Sequence, residues 1–403
     1  MNKKQDKFFV IVLVIILCSV LAWFPIKHFL ISKGYIDLVI TSNWVFYESK
    51  QTGTLGKIDD FIEEKKTNLQ NRVTNYFPFY ETLNQAFYAS VINSNKIIYQ
   101  DNFPVSLNPD KEYVFYDDEY DFYYIRTNRG KESLNDKVNE QVEFFNSLYN
   151  SNPNINLNIY LIPRYEQTNL SNYNLAKYTD TFKENINKNI NVSELKIKST
   201  EDYINKFYKT DHHWNMYGAY EGYQDITKML KKEPNTFTVE KVGKTLYYGS
   251  LAKVSLSSLT YDNIYDIKEH LDYKIEVNGN EPDTDFKPRK ITYEKDYKFF
   301  DYYIHYFNGQ YGLLKYTFNN DSNQNLLIFS DSYAWQIDYL IASHYKNTYV
   351  VNLRYDEYAD GIFDYNQFIE ENNIQDVLFL YEGSSTVFDQ YDYGFNEKIV
   401  RDE

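Results

Sequence analysis

From residue 326 to 381 the chain alternates apolar runs and amphipathic stretches in three steps. Leu326-Leu327-Ile328-Phe329 is a strand of the buried kind, followed by Ser330-Asp331-Ser332 and a helix expected from Tyr333 to Tyr345. Tyr349 to Leu353 is the next strand, Tyr365 to Asn373 the next helix and Val377 to Tyr381 the last strand. A strand apolar at successive positions must be covered on both faces, and strands that alternate with helices build an open, mostly parallel sheet. This rhythm therefore specifies a doubly wound α/β domain, whose ligands bind at the carboxyl ends of the strands. Ser332 falls at such an end.

Earlier segments extend the pattern. Ser133 to Asn150 reads as a helix with Ser133 as N-cap, Leu157 to Ile162 as a buried strand ended by Pro163, and Asp180 to Lys188 as a further helix. Ile97 to Tyr99, Tyr113 to Tyr116 and Phe122 to Ile125 have strand periodicity and form a small sheet ahead of the main domain. Ile58 to Leu69 and Tyr80 to Ile92 read as helices. Residues 235 to 318 show alternating stretches and little helical period, which marks a β-rich insertion.

The N-terminus carries a different signal. Phe8 to Phe24 is uncharged and flanked by Lys3, Lys4 and Lys7 before it and Lys27 after it, the short end of the roughly 17 to 25 residues that span a bilayer. The basic side stays cytoplasmic. The expected organisation is a tail at 1–7, a transmembrane signal anchor at 8–24, a stem at 25–56 and an extracytoplasmic domain at 57–403, held at the cell membrane by one span. A cleaved signal peptide, cut near Val20-Leu21-Ala22, is the alternative.

Cys18, the sole cysteine, lies in that span, so the exported part has no disulfide, as is common on Gram-positive surfaces. It must instead bury a large core. A net charge of -15 argues against nucleic acid as a partner. The 43 tyrosines suit sugar stacking, but AT-rich coding accounts for them together with the many Asn, Lys and Ile.

Two motifs carry chemistry. Asp211-His212-His213-Trp214 gathers two of the six histidines with a carboxylate on a loop that opens a helix. Histidine is the side chain that exchanges protons near neutral pH. Ser332, on a strand-to-helix turn, supplies a nucleophile, and its amide with the helix field suits a developing oxyanion. Ser330, Trp214, Gly249, Ser250 and Arg354 are candidates to line the substrate or oxyanion region, with Tyr247, Tyr248 and Tyr355 beside them. Alone, Asp211, His212 and His213 also read as a metal half-site, although no further ligand set accompanies them, and neither metal nor cofactor is expected.

Asp211-His212-His213-Trp214 followed by Asn215-Met216-Tyr217-Gly218-Ala219-Tyr220 resembles the signature of the bacterial DHHW protein family. More distantly it resembles the alginate O-acetyltransferase group of SGNH-hydrolase-like proteins, with Asp-x-His-Trp upstream and Gly-Asp-Ser downstream. The resemblance covers about residues 57 to 390 and implies an SGNH-hydrolase-like fold. It implies Asp211 as the orienting acid, His213 as the general base and Ser332 as the nucleophile, with His212 at the variable position. Ser330 departs from the pattern, standing where those proteins often have Gly, which admits a reading in which Ser330 is reactive. The implied activity is acyl transfer to an extracellular polysaccharide beside a multi-pass membrane acyltransferase partner. An esterase with the same triad and a non-catalytic glycan-binding scaffold are the competing readings.

Overall fold

In the computed structural model the described residues run from 89 to 401, apart from 91, 94, 97–101, 106–111, 128–130, 172–174, 245, 255–256, 283–288, 290–297 and 390–393. The expected tail, anchor, stem, Ile58 helix and Ile97 to Tyr99 strand lie outside them, as does most of the helix expected from Tyr80. Among the described residues no helix is long and apolar enough to cross a membrane. The chain divides into two compact units after Ala89, and the architecture belongs to the second.

The unit opens with an antiparallel sheet of β1 (Asn102–Pro104), β2 (Glu112–Asp117) and β3 (Phe122–Thr127). Then follow α1 (Lys131–Ser151), β4 (Asn156–Ile162), α2 (Ala176–Asn185), β5 (Asn191–Glu194), α3 (Thr200–Lys206) and α4 (Met216–Met229). Next come β6 (Val239–Lys241), α5 (Ser250–Val254), β7 (Tyr265–Ile267), β8 (Tyr273–Val277), α6 (Tyr302–Phe307) and β9 (Leu313–Phe318). The last part holds β10 (Asn325–Ser330), α7 (Asp338–Ala342), β11 (Asn347–Val351), β12 (Phe363–Asp364), α8 (Tyr365–Glu371) and β13 (Ile374–Glu382). It ends with α9 (Gly383–Phe388), α10 (Phe395–Lys398) and β14 (Ile399–Val400).

Seven strands form the central sheet in the order β5-β4-β13-β10-β11-β9-β8. The first five are mutually parallel, and β9 and β8 run antiparallel at one edge. Side chains along a strand alternate between faces, and the two faces bury different helices. Leu157, Leu161, Leu327, Phe329, Val377 and Phe379 pack with Val138, Phe145 and Leu148 of α1, Phe182 of α2 and Ile369 of α8. Tyr160, Leu326, Ile328, Leu378 and Leu380 pack on the other face with Met216, Ala219 and Ile226 of α4 and Leu340 and Ile341 of α7. This mixed α/β architecture, with helices on both faces of a mostly parallel sheet, agrees with the alternation in the sequence.

Three expectations need correction. The helix expected from Ser133 begins at Lys131, so Ser133 lies in its first turn rather than capping it. The segment 235–318 is not a separate insertion: among its described residues are four strands, β6 to β9, and two helices, α5 and α6, too short to show a helical period, and β8 and β9 extend the central sheet. The single helix expected from Tyr333 to Tyr345 is broken into a 3-10 turn, Ala334–Gln336, and α7, with Ile337 between them at φ -132° and ψ -3°. Arg289 accounts for the break, because its guanidinium donates to the carbonyls of Trp335 and Gln336 at 2.8 and 3.1 Å, groups a continuous helix would use itself.

Candidate active site

The loop between α3 and α4 is pinched shut at its base. Phe207 and Trp214 form a bridge, the Tyr208 N–H donates to the His213 carbonyl at 3.1 Å, and the Asn215 N–H donates to the Lys206 carbonyl at 2.8 Å. Asn215 then caps α4, its side-chain oxygen accepting from the Tyr217 and Gly218 N–H groups. Gly218 is needed for space: a Cβ there would stand 2.2 Å from the Lys206 carbonyl oxygen. The neck of the loop is thus fixed by backbone bonds and a close helix approach, and the loop's tip presents Asp211, His212 and His213.

Asp211 and His213 form the most local part of the site. One carboxylate oxygen, Oδ1, accepts from the His213 N–H at 3.0 Å and lies 2.6 Å from His213 Nδ1. The other, Oδ2, accepts from the Tyr247 hydroxyl and from the Ser250 N–H, both at 2.7 Å. Burial opposes ionisation of Asp211, but the imidazoles of His212 and His213 and the bonds from His213 and the Ser250 N–H outweigh it and hold the carboxyl well below the usual range. The first turn of α5 is built onto the same loop, with Leu251 and Ala252 N–H groups on the Thr210 carbonyl and the Gly249 N–H on the Thr210 hydroxyl. Asp262 completes the seat by accepting from the Lys209 and Thr210 N–H groups, and burial raises its carboxyl to about 6.

Ser332 approaches from the carboxyl end of β10. Its Oγ lies 2.7 Å from His213 Nε2, across a sequence separation of 119 residues. Ser332 Oγ, His213 and Asp211 therefore form one continuous hydrogen-bonded chain. Asp331 tightens the serine turn, accepting from the N–H of Tyr333 at 2.9 Å and from that of Glu382, at the end of β13, at 3.1 Å. The Ser332 amide N–H has no acceptor among the described residues, which leaves a donor beside the nucleophilic oxygen.

The other residues singled out from the sequence take different places. Trp214 is fully buried and donates through Nε1 to the Tyr333 carbonyl at 2.8 Å, so it braces the serine turn from behind and lines no open surface. Ser330 is 1% exposed, and its hydroxyl reaches neither His213 nor any other partner among the described residues, so of the two serines Ser332 is the one that meets His213. Gly249 and Ser250 serve the acid: a Cβ on Gly249 would lie 2.4 Å from Asp211 Cβ and 2.6 Å from its Oδ2. Arg354 is half-buried past the end of β11, with Nε on Asn352 Oδ1 at 3.3 Å, and its charge favours ionisation of Asp331, whose carboxyl burial nevertheless raises.

His212 flanks the chain, with Nδ1 2.8 Å from the Ser250 hydroxyl and 3.4 Å from Asp211 Oδ1, and its ring 4.0 Å from that of His213. Its side chain keeps 28% of its surface exposed, yet surrounding atoms desolvate the ring, and that burial followed by the His213 charge pushes it well below the ordinary imidazole range. The ligand atoms of Asp211, His212 and His213 lie within 4.8 Å of one another. An ion among them would compete with the bonds that Asp211 and His213 already make.

Sequence reasoning missed Tyr303, Tyr333 and Gln336. The Tyr333 hydroxyl donates to the His212 carbonyl at 2.6 Å, and Gln336 Nε2 donates to the Trp214 carbonyl at 2.7 Å. The Tyr303 hydroxyl donates to the Ser332 carbonyl at 2.8 Å. In a chain with 43 tyrosines no single one stands out, and Tyr303 sits in an alternating aromatic stretch, Phe299 to Tyr306, of the segment expected to be β-rich.

No family model matches the sequence, and no curated protein matches it. Solved structures do. A DHHW family protein from Eubacterium siraeum superposes with a TM-score of 0.55 at 19% identity, over 73% of this chain and 98% of that one. Bacillus cereus PatB1 superposes with a TM-score of 0.53 at 20% identity, over 70% of this chain and 99% of PatB1. PatB1 with a sulfonyl adduct gives 0.53 at 18%, over 70% and 97%. The chain thus resembles a DHHW family protein in fold as well as in the motif at 211–220.

Proposed function

We propose that the chain is a membrane-anchored, extracytoplasmic O-acyltransferase that moves an acyl group, most simply acetyl, through an acyl-serine on Ser332 to a hydroxyl of a cell-surface or secreted polysaccharide. The observation that carries this reading is the unbroken chain Ser332 Oγ, His213, Asp211 beside an unoccupied amide donor. Ser332 Oγ attacks the acyl carbonyl while His213 Nε2 takes its proton. The carbonyl oxygen becomes an oxyanion, which the Ser332 N–H is placed to meet. Collapse expels the donor's leaving group, which leaves with the proton from His213. The acceptor hydroxyl then gives its proton to His213 and attacks the acyl-serine, and His213 returns that proton to Ser332 Oγ. Asp211, locked by Tyr247 and Ser250, holds the imidazole in the tautomer this cycle needs and balances its charge.

The anchor at Phe8 to Phe24 supports transfer over hydrolysis, since a tether keeps the site where a multi-pass membrane partner would deliver acyl groups. An esterase shares the same covalent intermediate and differs only in its acceptor. One of the PatB1 structures carries a sulfonyl adduct, and a sulfonyl fluoride is the matching probe for a nucleophilic serine. Residues 30–403, treated with an activated acetyl ester or a sulfonyl fluoride, should carry the adduct on Ser332 by peptide mass spectrometry. With candidate cell-wall or exopolysaccharide oligomers present, acetyl should pass to a sugar hydroxyl faster than to water. Rapid hydrolysis with no acetylated oligomer across a broad panel favours the esterase, and no adduct on Ser332 removes the enzyme reading.

A further inference from the structure

The hydrogen bonds of Ser332, His213 and Asp211 fix the imidazole within its plane; its faces are fixed by two rings. Tyr303 lies parallel to the His213 ring, with centroids 3.9 Å apart and planes 12° apart. His212 lies 4.0 Å away at 35°. Two rings at that range cannot share one face, so the imidazole is sandwiched.

Tyr303 is itself immobile. It is 1% exposed, packs on Phe307 at 4.9 Å and on Trp335 at 6.0 Å, and its hydroxyl accepts from Gln336 Nε2 at 3.3 Å while donating to the Ser332 carbonyl. One side chain therefore holds the backbone of Ser332 at its tip and the ring of His213 against its face. The face of a phenol ring is the negative side of its quadrupole, and a cation desolvated over such a face is attracted to it. In the transfer step His213 holds the serine proton and is a cation.

We propose that Tyr303 is a positioning residue of the acyl-transfer site: its ring face stabilises His213 in the protonated form, and its hydroxyl sets the Ser332 backbone at the distance the proton must cross. This rests on the role proposed above for Ser332 and His213.

The test uses residues 30–403 with an activated acetyl ester. Tyr303→Phe keeps the ring and loses the hydroxyl's two neutral hydrogen bonds, the one donated to the Ser332 carbonyl and the one accepted from Gln336 Nε2, which lowers kcat about 5- to 100-fold. Tyr303→Leu loses the ring as well, and its kcat should fall a further 10- to 30-fold, about 2 kcal/mol at 1.36 per tenfold, with KM within about twofold. Pentafluorophenylalanine at 303 keeps the shape and reverses the quadrupole, so it should be slower than phenylalanine and gives the answer if the leucine variant melts early. In proton NMR of the free protein the His213 carbon-bound protons should carry an upfield ring-current shift that the phenylalanine variant keeps and the leucine variant loses. Equal kcat for the phenylalanine, leucine and fluorinated variants would overturn the proposal, as would an effect confined to KM. If instead the parent protein forms no adduct on Ser332 while the ring-current signature is present, the stacking stands and the acyl-transfer reading fails.

Discussion

Gly249→Ala tests whether the acid at this site is held by shape. The residue has no left-handed backbone angle, so an alanine is barred by space alone. Its methyl would stand 2.4 Å from Asp211 Cβ, 2.6 Å from Asp211 Oδ2 and 2.8 Å from the Thr210 carbonyl oxygen. Ordinary contacts begin near about 3.5 Å, so the Asp211 loop and the start of α5 must part by about 1 Å. That movement stretches the 2.7 Å bond from the Ser250 N–H and turns the carboxylate away from His213 Nδ1. A misplacement of about 1 Å at a reacting centre costs on the order of 100-fold, or about 2.7 kcal/mol. Overpacking should take roughly 1 to 3 kcal/mol from stability as well. The assay is kcat/KM for an activated acetyl ester, with thermal melting followed by circular dichroism to show that the variant is folded at the assay temperature. A folded variant within about threefold of the parent would refute the claim that Gly249 exists to make room for the acid.

His213→Ala should abolish turnover, a loss of at least about 1,000-fold, while His212→Ala stays within about tenfold; equal loss in both, together with loss of a bound metal, would favour the half-site reading of the three residues. Tyr247→Phe removes a hydroxyl donor from the buried Asp211 carboxylate and should cost about 1.5 to 3 kcal/mol in urea unfolding at pH 7. Because Asp211 is held below its ordinary value of 3.8, that contribution is fully present above 3.8 and is lost as pH falls through the folded value. The gap between parent and variant should therefore be constant at neutral pH and narrow below about pH 3.8; a gap that widens on acidification would contradict the ionised state assigned to Asp211.

What the sequence revealed was the part of the structure with a short range. The strands at 157–162, 326–329 and 377–381 are apolar on both faces, and burial on both faces is a property each segment carries alone. Asp211 and His213 lie two residues apart, and their contact is made within that loop. The rest depends on partners distant in the chain. The helix after Ser332 breaks because Arg289 takes its carbonyls, and nothing near Ser332 announces Arg289. Gly249 reads from the sequence as a candidate to line the substrate or oxyanion region, and its place against the acid shows only once Asp211 is set beside it. Strands β8 and β9 alternate like any two-faced antiparallel pair, so their pattern did not say whether they formed their own sheet or joined the main one.

The length of the chain between those partners bears on when the site exists. His213 meets Ser332 across 119 residues, Tyr247 meets Asp211 across 36, and Tyr303 meets Ser332 across 29. Loops of that size close only when the central sheet has ordered their ends. An unfolded or half-folded chain therefore has a serine no more reactive than any other. If the domain crosses a membrane unfolded, as an anchored export route requires, it passes through the cytoplasm and its acyl donors as an inert polymer. On the proposed function, chemistry begins only where folding finishes, and the rate of adduct formation on Ser332 would be a clock for the completion of tertiary structure.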